Sequence, residues 1–591
     1  MKLLFSCIFL FLVFLLPAQN SINLKQDFGA KGDGKTDDTK AFQKAFAQIN
    51  SLKKNVIVII PAGHYILYPQ IPTALNNPTA YVPLNVMSLI NCTNITVKGE
   101  KGTKISFAPN LYYGAFKRRG KEIEKFGPVT TLWQYRVAIG HGFYIENSSG
   151  INIQQIEMDG NNRNFILGSQ FGDVGMQIDN DGLFIQDGSN ITLTNLNMHH
   201  FGRDGLQVIN KTPKSFATPS QKINITNCQF EYNGRQGFSW TGGVGVTAVD
   251  CSFSYTGKTK FSSPPGAGVD FEPNGGYIVK EGLFINCRFK NNAGVAVLAD
   301  EGGFNARDVK FINCELVGET APALWVKSPV FSFTNCLILG TFYFGCAANT
   351  EEEGTKFFRC HFSDEYSSKS ATNYLIESNG ARYLLFDGCR FTATTKGMLY
   401  IAADARVNEE RALIKNCRFV SKFKKLARAG AFTTGVDYVG NTVFIDSAAA
   451  KSGWNIENSR FVSSKKAKTL IEVKSNYSLG TYDKVILGDD LGDVQVSIWK
   501  SAILSMNTNA MLNINKDAKL TVKKGGSLWI APGAELVVKG KIVAEEGAYI
   551  CIHHEAKVSV ASLKNIQLKG VVNFSDNPTQ NYGLSGCRIL K

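Results

Sequence analysis

Asn286-Cys287-Arg288-Phe289 is one copy of a tetrapeptide that recurs down the chain. The others are Asn227-Cys228-Gln229-Phe230, Asp250-Cys251-Ser252-Phe253, Asn313-Cys314-Glu315-Leu316, Asn335-Cys336-Leu337-Ile338, Arg359-Cys360-His361-Phe362, Gly388-Cys389-Arg390-Phe391 and Asn416-Cys417-Arg418-Phe419. Asn458-Ser459-Arg460-Phe461 keeps the pattern with serine in the cysteine's place. Successive cysteines lie 23, 36, 27, 22, 24, 29 and 28 residues apart. The period wanders while the motif holds, as insertions in loops between stacked strands would produce. Within the motif Cys and Phe are two apart and share one face of a strand, with a mostly polar residue between them. A second short apolar strand comes just upstream, as in Ile223-Asn224-Ile225 and Gly282-Leu283-Phe284-Ile285. A third opens after glycine, as in Gly205-Leu206-Gln207-Val208, Gly237-Phe238-Ser239-Trp240, Gly268-Val269-Asp270-Phe271 and Gly294-Val295-Ala296-Val297. Three short strands per turn of about 25 residues predict an all-β solenoid, a parallel β-helix.

Thirteen cysteines would first suggest disulfides. The motif predicts instead that the eight from Cys228 to Cys417 stack in the core as reduced thiols, because free cysteine packs as a small hydrophobe. An open solenoid end exposes strand edges and needs a cap. Asp37-Asp38-Thr39 followed by Phe42, Ala45, Phe46, Ile49 and Leu52 at helical spacing predicts a capping helix there.

Met1-Lys2 and the uncharged stretch Leu3–Leu16, ending Pro17-Ala18-Gln19, read as a signal peptide over 1–19, cleaved near Ala18 or Gln19. The stretch is too short for the ~20 residues of a spanning helix, and no other segment approaches that length without charges. The expectation is a secreted, periplasmic or cell-surface protein with no transmembrane segment. Formal net charge is +15. A field of that sign suits an anionic polysaccharide. Nucleic acid would fit the charge, but export argues against it.

Asp27-Phe28-Gly29-Ala30-Lys31-Gly32-Asp33-Gly34-Lys35-Thr36-Asp37-Asp38-Thr39, with the helix and Pro61-Ala62-Gly63-His64-Tyr65, resembles the opening of the pectate-lyase-like superfamily. The resemblance extends over roughly 22–475. It implies a single-stranded right-handed parallel β-helix, shared by rhamnogalacturonase-like and polygalacturonase-like hydrolases, lyases, epimerases and phage tailspikes. Fold does not settle the reaction. Asp179-Asn180-Asp181 echoes the polygalacturonase Asn-Thr-Asp, and Gly140-His141-Gly142 copies its Gly-His-Gly but stands upstream instead of downstream. No Arg-Ile-Lys follows.

The expected organisation is a catalytic β-helix over 20–480 and a smaller solenoid over 487–591. In the latter, Lys519-Leu520-Thr521-Val522, Ser527-Leu528-Trp529-Ile530 and Glu535-Leu536-Val537-Val538 follow one another closely between glycines. It either continues the main stack or forms a small accessory domain.

Aligning turns on the glycine that opens the third strand yields outward columns. His141, Asp181, Asp204, Gln236 and Ala267 precede the glycine; Tyr144, Phe184, Gln207, Ser239 and Asp270 stand two places after it; Glu146, Gln186, Ile209, Thr241 and Glu272 stand four after. Beyond that the columns turn bland, with Ala296 and Leu298. Stacking puts Asp181 and Asp204 ~5 Å apart, close enough to raise one carboxyl's pKa. Asp270 and Glu272 share one face ~7 Å apart. Paired carboxylates are what glycosidases use, so the catalytic candidates are Asp204, Asp270, Asp181 and Glu272. The substrate-binding candidates are Arg203, Arg235, Gln236, His141 and Trp240, with Tyr232, Phe171 and Tyr144 as further stacking surface and the loops 163–175 and 211–220 as walls. No metal-ligand spacing is evident; a calcium ion between carboxylates is expected only if the reaction is elimination.

The expectation is a hydrolase of an acidic polysaccharide. The first alternative is a lyase or epimerase in which Arg235 or His141 removes a proton alpha to a uronate carboxylate. The second is a non-catalytic glycan-binding surface protein. Convergence of the carboxylates in one cleft separates an enzyme from a binder.

Overall fold

The computed structural model describes residues 20–575 and 587–590, apart from 73–80, 121, 126–135, 169–176 and short breaks concentrated between 212 and 493. The leader read at 1–19 lies outside the described residues. Among the described residues no helix is long and apolar enough to cross a membrane.

The chain coils as a parallel β-helix. A 13-stranded sheet runs in chain order from Met87–Ile90 to Asn455–Glu457, beside a 36-stranded sheet that bends around the remaining walls. A 6-stranded sheet takes over from Tyr477–Leu479. The large sheet continues into the last part, where Thr469–Val473 pairs with Val494–Ile498 and Lys484–Leu487 with Met511–Ile514. One continuous core fills the interior, because each strand alternates an apolar residue inward with a polar one outward.

Helix Thr39–Leu52 buries Phe42, Ala45, Phe46 and Ile49 against the first turns. Phe46 meets the Phe143 ring edge-on at 6.4 Å. The residue at its N-cap, Asp38, does not cap it. Its carboxylate accepts instead from the backbone N–H of Lys31 (2.6 Å) and Gly32 (3.0 Å), which fastens the glycine-rich opening loop.

The recurring tetrapeptide forms a corner of the coil. All eight cysteines from Cys228 to Cys417 are free and buried. Each thiol donates to the carbonyl two residues earlier, as Cys228 does to Thr226 (3.3 Å) and Cys251 to Val249 (3.2 Å). The residue before each cysteine turns the chain in the left-handed region: Asn227 at φ 50°, Asn286 at 54°, Asn313 at 55°, Asn335 at 54° and Asn416 at 54°. Asparagine tolerates that conformation better than most residues. Its amide also bonds turn to turn, Asn313 donating to Asn286 and Asn335 to Asn313, both at 3.3 Å. Inside, Phe284, Phe311, Phe333, Phe357 and Phe386 stack at centroid distances of 4.8, 4.9, 4.8 and 5.0 Å.

Candidate functional site

The 13-stranded sheet carries the charged columns. Phe143, Leu183, Leu206, Phe238 and Val269 are register partners on successive strands, which aligns Tyr144, Phe184, Gln207, Ser239 and Asp270 as expected. Asp204 pairs with Gln236. The glycines preceding these strands exist for a steric reason. A Cβ on Gly142, Gly182, Gly205 or Gly237 would stand 2.3–2.8 Å from the carbonyl oxygen of the next glycine. A Cβ on Gly268 would stand 2.6 Å from that of Ala296. Ala296 therefore occupies the sixth place in the glycine column, and the alignment on Gly294 is two residues out. Gly294 serves a different contact, with its would-be Cβ 1.9 Å from the Pro265 carbonyl. Asp270 consequently stands opposite Leu298, and Leu298 opposite Trp325. Sequence reasoning missed Trp325 because alanine replaces the glycine that marked earlier turns.

Asp181 and Asp204 are wholly buried, with 0% exposure, so neither faces an open groove as expected. Arg203 forks onto Asp181 through Nε (2.8 Å) and Nη2 (2.5 Å), and also grips Asp179 (2.9 Å) and Gln207 (2.6 Å). His141 Nδ1 accepts from the Asp181 N–H at 3.0 Å and lies 3.3 Å from its carboxylate. Burial pushes Asp181 up, but Arg203 and His141 outweigh it and hold the carboxyl well below the usual range. Asp204 goes the other way. Burial pushes it up to about 7, with the Asp181 charge adding to the rise and Arg235 opposing it. Neither Asp204 oxygen has a hydrogen-bond partner among the described residues. Its nearest cations are Arg235 Nη1 at 3.7 Å and Arg203 Nε at 3.8 Å.

Arg235 bridges from this buried pair to the surface. Its Nη2 donates to Glu272 at 3.0 Å. Burial works against its charge, but Asp204 and Glu272 outweigh that and hold it above the ordinary arginine value. Gln236 donates through Nε2 to Asp270. Arg235, Asp270 and Glu272 border a cleft of about 400 Å³ whose other wall includes Leu298, Pro322 and Trp325. Lys327 lies 5.4 Å over the Trp325 ring. Of the four expected carboxylates, two meet in the cleft and two lie beneath it.

Trp240, expected to contact substrate, is a core residue: it is 0% exposed and packs on Phe238 and Phe271. It has the same strand parity as inward Leu206 and Val208, so alternation sends it inside. Tyr144 and Phe184 stack on the outer face at 5.5 Å, with His141 on Phe184 at 4.8 Å. Tyr232 stands at a corner between His200 and Tyr255. Phe171 and most of the loop expected as a wall at 163–175 lie outside the described residues, as do 212–214 and 216 of the second wall.

A calcium ion does not fit the upstream carboxylates. His141, Asp179 and Asp181 bring ligand atoms within 4.8 Å of one another. Arg203 already bonds both carboxylates and Arg136 lies 3.6 Å from Asp179, so guanidinium charge fills the place a cation would take.

Residues 21–260 match the model of the family described as rhamnogalacturonase A/epimerase, pectate lyase-like. The likeness to the pectate-lyase-like parallel β-helix superfamily, read from the opening residues, holds for that part of the chain, which includes Asp181, Asp204 and Arg235. Among solved structures the chain is similar to the A-module of a mannuronan C-5 epimerase of Azotobacter vinelandii, at 12% identity over 95% of this chain and 100% of that one, TM-score 0.24. It is similar to the family 28 exopolygalacturonase of Yersinia enterocolitica, at 12% identity over 94% and 79%, TM-score 0.24. It is also similar to gene product 12 of bacteriophage phi29, at 12% identity over 93% and 73%, TM-score 0.42.

Proposed function

We propose that the protein is an exported carbohydrate-active enzyme, a glycoside hydrolase that cleaves an acidic polysaccharide in the cleft over Asp270 and Glu272. The observation that carries this reading is the meeting of two carboxylates, Asp270 on strand Val269–Phe271 and Glu272 just past its end, with a guanidinium and an indole in one cleft. Such a pair supplies one proton donor and one base or nucleophile. Trp325 offers an apolar ring for a sugar face to rest on, and the Gln236 hydrogen bond fixes Asp270. Arg235 supplies a permanent positive charge for an anionic sugar. Asp204, out of reach beneath, acts by holding Arg235.

The lyase or epimerase reading with Arg235 as base is disfavoured, because its two carboxylate neighbours keep it protonated. Incubation with a panel of acidic and neutral polysaccharides, followed by product analysis, tests the proposal. Saturated reducing ends are expected. An unsaturated uronyl end, absorbing in the ultraviolet, would replace hydrolysis with elimination, and binding without any product would leave a glycan-binding protein.

A further inference from the structure

Three groups that the cleft does not use meet at the corner where strand Ser189–His199 ends and the chain turns toward Arg203 and Asp204. Asp159, the last residue of strand Ser149–Asp159, is the register partner of His199. His199 Nδ1 and His200 Nδ1 face each other at 2.7 Å, and Asp159 Oδ1 lies 3.8 Å from the first and 4.0 Å from the second. In a tetrahedral site with ~2.0–2.1 Å bonds, ligand atoms stand ~3.3 Å apart, so changes of about half an ångström or slightly more in each separation would close this triangle on an ion.

The surroundings prepare His199 as a ligand. Glu157 Oε1 lies 3.5 Å from His199 Nε2, and Lys104 holds that carboxylate at 2.7 Å. A carboxylate behind one ring nitrogen keeps the proton on that side and leaves the other nitrogen as a bare acceptor, the arrangement typical of metal-bound histidine. His200 sits at φ 58° and stacks its ring on Tyr232 at 5.3 Å and 5°, so its orientation is set. Asp159 gives Oδ2 to Arg163 (2.9 Å) and accepts the Asn161 N–H on Oδ1 (2.8 Å), which anchors the carboxylate. Lys104 and Arg163 balance Glu157 and Asp159 in charge.

We propose that Asp159, His199 and His200 bind a divalent transition cation of the zinc, cobalt or nickel class. Its place is structural: it ties the ends of two neighbouring strands and stiffens the turn that carries Arg203 and Asp204. Two imidazoles and one carboxylate suit these borderline cations better than calcium or magnesium, which prefer oxygen-only sites. The sequence shows no metal-ligand spacing for such a site, since its ligands come from two strands and no spacing along one segment reveals them.

Full-length protein stripped of metal and titrated with zinc and with cobalt by calorimetry tests this independently of any catalytic reading. One ion per chain should bind, with a cobalt visible spectrum of a nitrogen- and oxygen-ligated site. His200→Gln should abolish binding, and Glu157→Gln, which leaves all three ligands in place, should weaken it by about 10–100-fold. His199→Ala provides a second ligand deletion if His200→Gln disturbs folding. Absence of binding by the wild type, or equal affinity in the wild type and a folded histidine variant, would overturn the site. The second result would move the ion elsewhere, for instance to His553-His554.

Discussion

Two parts of the same turns teach opposite lessons. At the corner, the Asn-Cys-x-Phe pattern recurs from 227 to 419, with Leu316 and Ile338 in two of the ring places, because each turn presents the same demand: a left-handed residue, a small inward thiol and an apolar side chain that packs on its neighbour. On the 13-stranded sheet, strands of the same stack change their outward residue at every step, from Tyr144 through Gln207 and Ser239 to Asp270. The corner satisfies its polar groups turn by turn. The sheet face buries Asp204 without a hydrogen bond to either oxygen among the described residues, an arrangement that costs stability and that stacking does not require. Repetition marks what holds the coil together, and departure from it, joined to unmet electrostatic cost, marks the candidate site.

The contrast can be broken by substitution. Phe253→Ala at the corner removes a fully buried ring stacked between Phe230 and Phe289, and should lower stability by about 3–5 kcal/mol, read as a shifted denaturation midpoint with activity per folded molecule retained. A loss below that of an exposed substitution would remove the corner's structural role.

Asp204→Asn on the sheet should do the reverse. The folded carboxyl titrates at about 7 against an ordinary value of 3.8, so the native state holds the extra proton between those values. The Asp204 contribution to stability is then most favourable at low pH, falls as pH rises from about 4 to 7, and is flat above. Asn carries no charge to bury. The variant should exceed wild type by about 2–4 kcal/mol at pH 8 and converge with it near pH 4. A variant less stable than wild type across that range would mean that the Asp204 charge is supported by Arg235 and not merely tolerated.

The smallest effect sharpens the corner's explanation. Asn313→Ala loses two turn-to-turn hydrogen bonds and forces alanine into the left-handed region, for about 1–2 kcal/mol. Asn313→Gly keeps the backbone freedom and should recover most of that loss. Equal losses in the two variants would assign the preference to the hydrogen bonds alone.

How much was legible follows the same division. The Cys and Phe ladder was readable because identical demands recur in the sequence; the asparagine beside it was visible too, and its left-handed φ explains it. Five turns of the charged sheet aligned correctly because backbone closeness forbids a Cβ at Gly142, Gly182, Gly205, Gly237 and Gly268. The alignment failed at Ala296, and with it Trp325 was lost. Placing Trp240 at the surface was an avoidable error, since strand parity sends it inward. The burial of Asp181 and Asp204 was not legible: it depends on where Arg203 and Arg235 lie once folded, which no column of letters records.

The central claim is that Asp270 and Glu272, and not the buried pair, perform the chemistry. Turnover of an accepted polysaccharide by Asp270→Asn and Glu272→Gln, each checked for an unchanged fold and retained glycan binding, tests it most directly. The account predicts that either variant loses about 10²–10⁴-fold in rate and that neither changes the saturated character of any residual product. Near-normal turnover by both folded variants would contradict it.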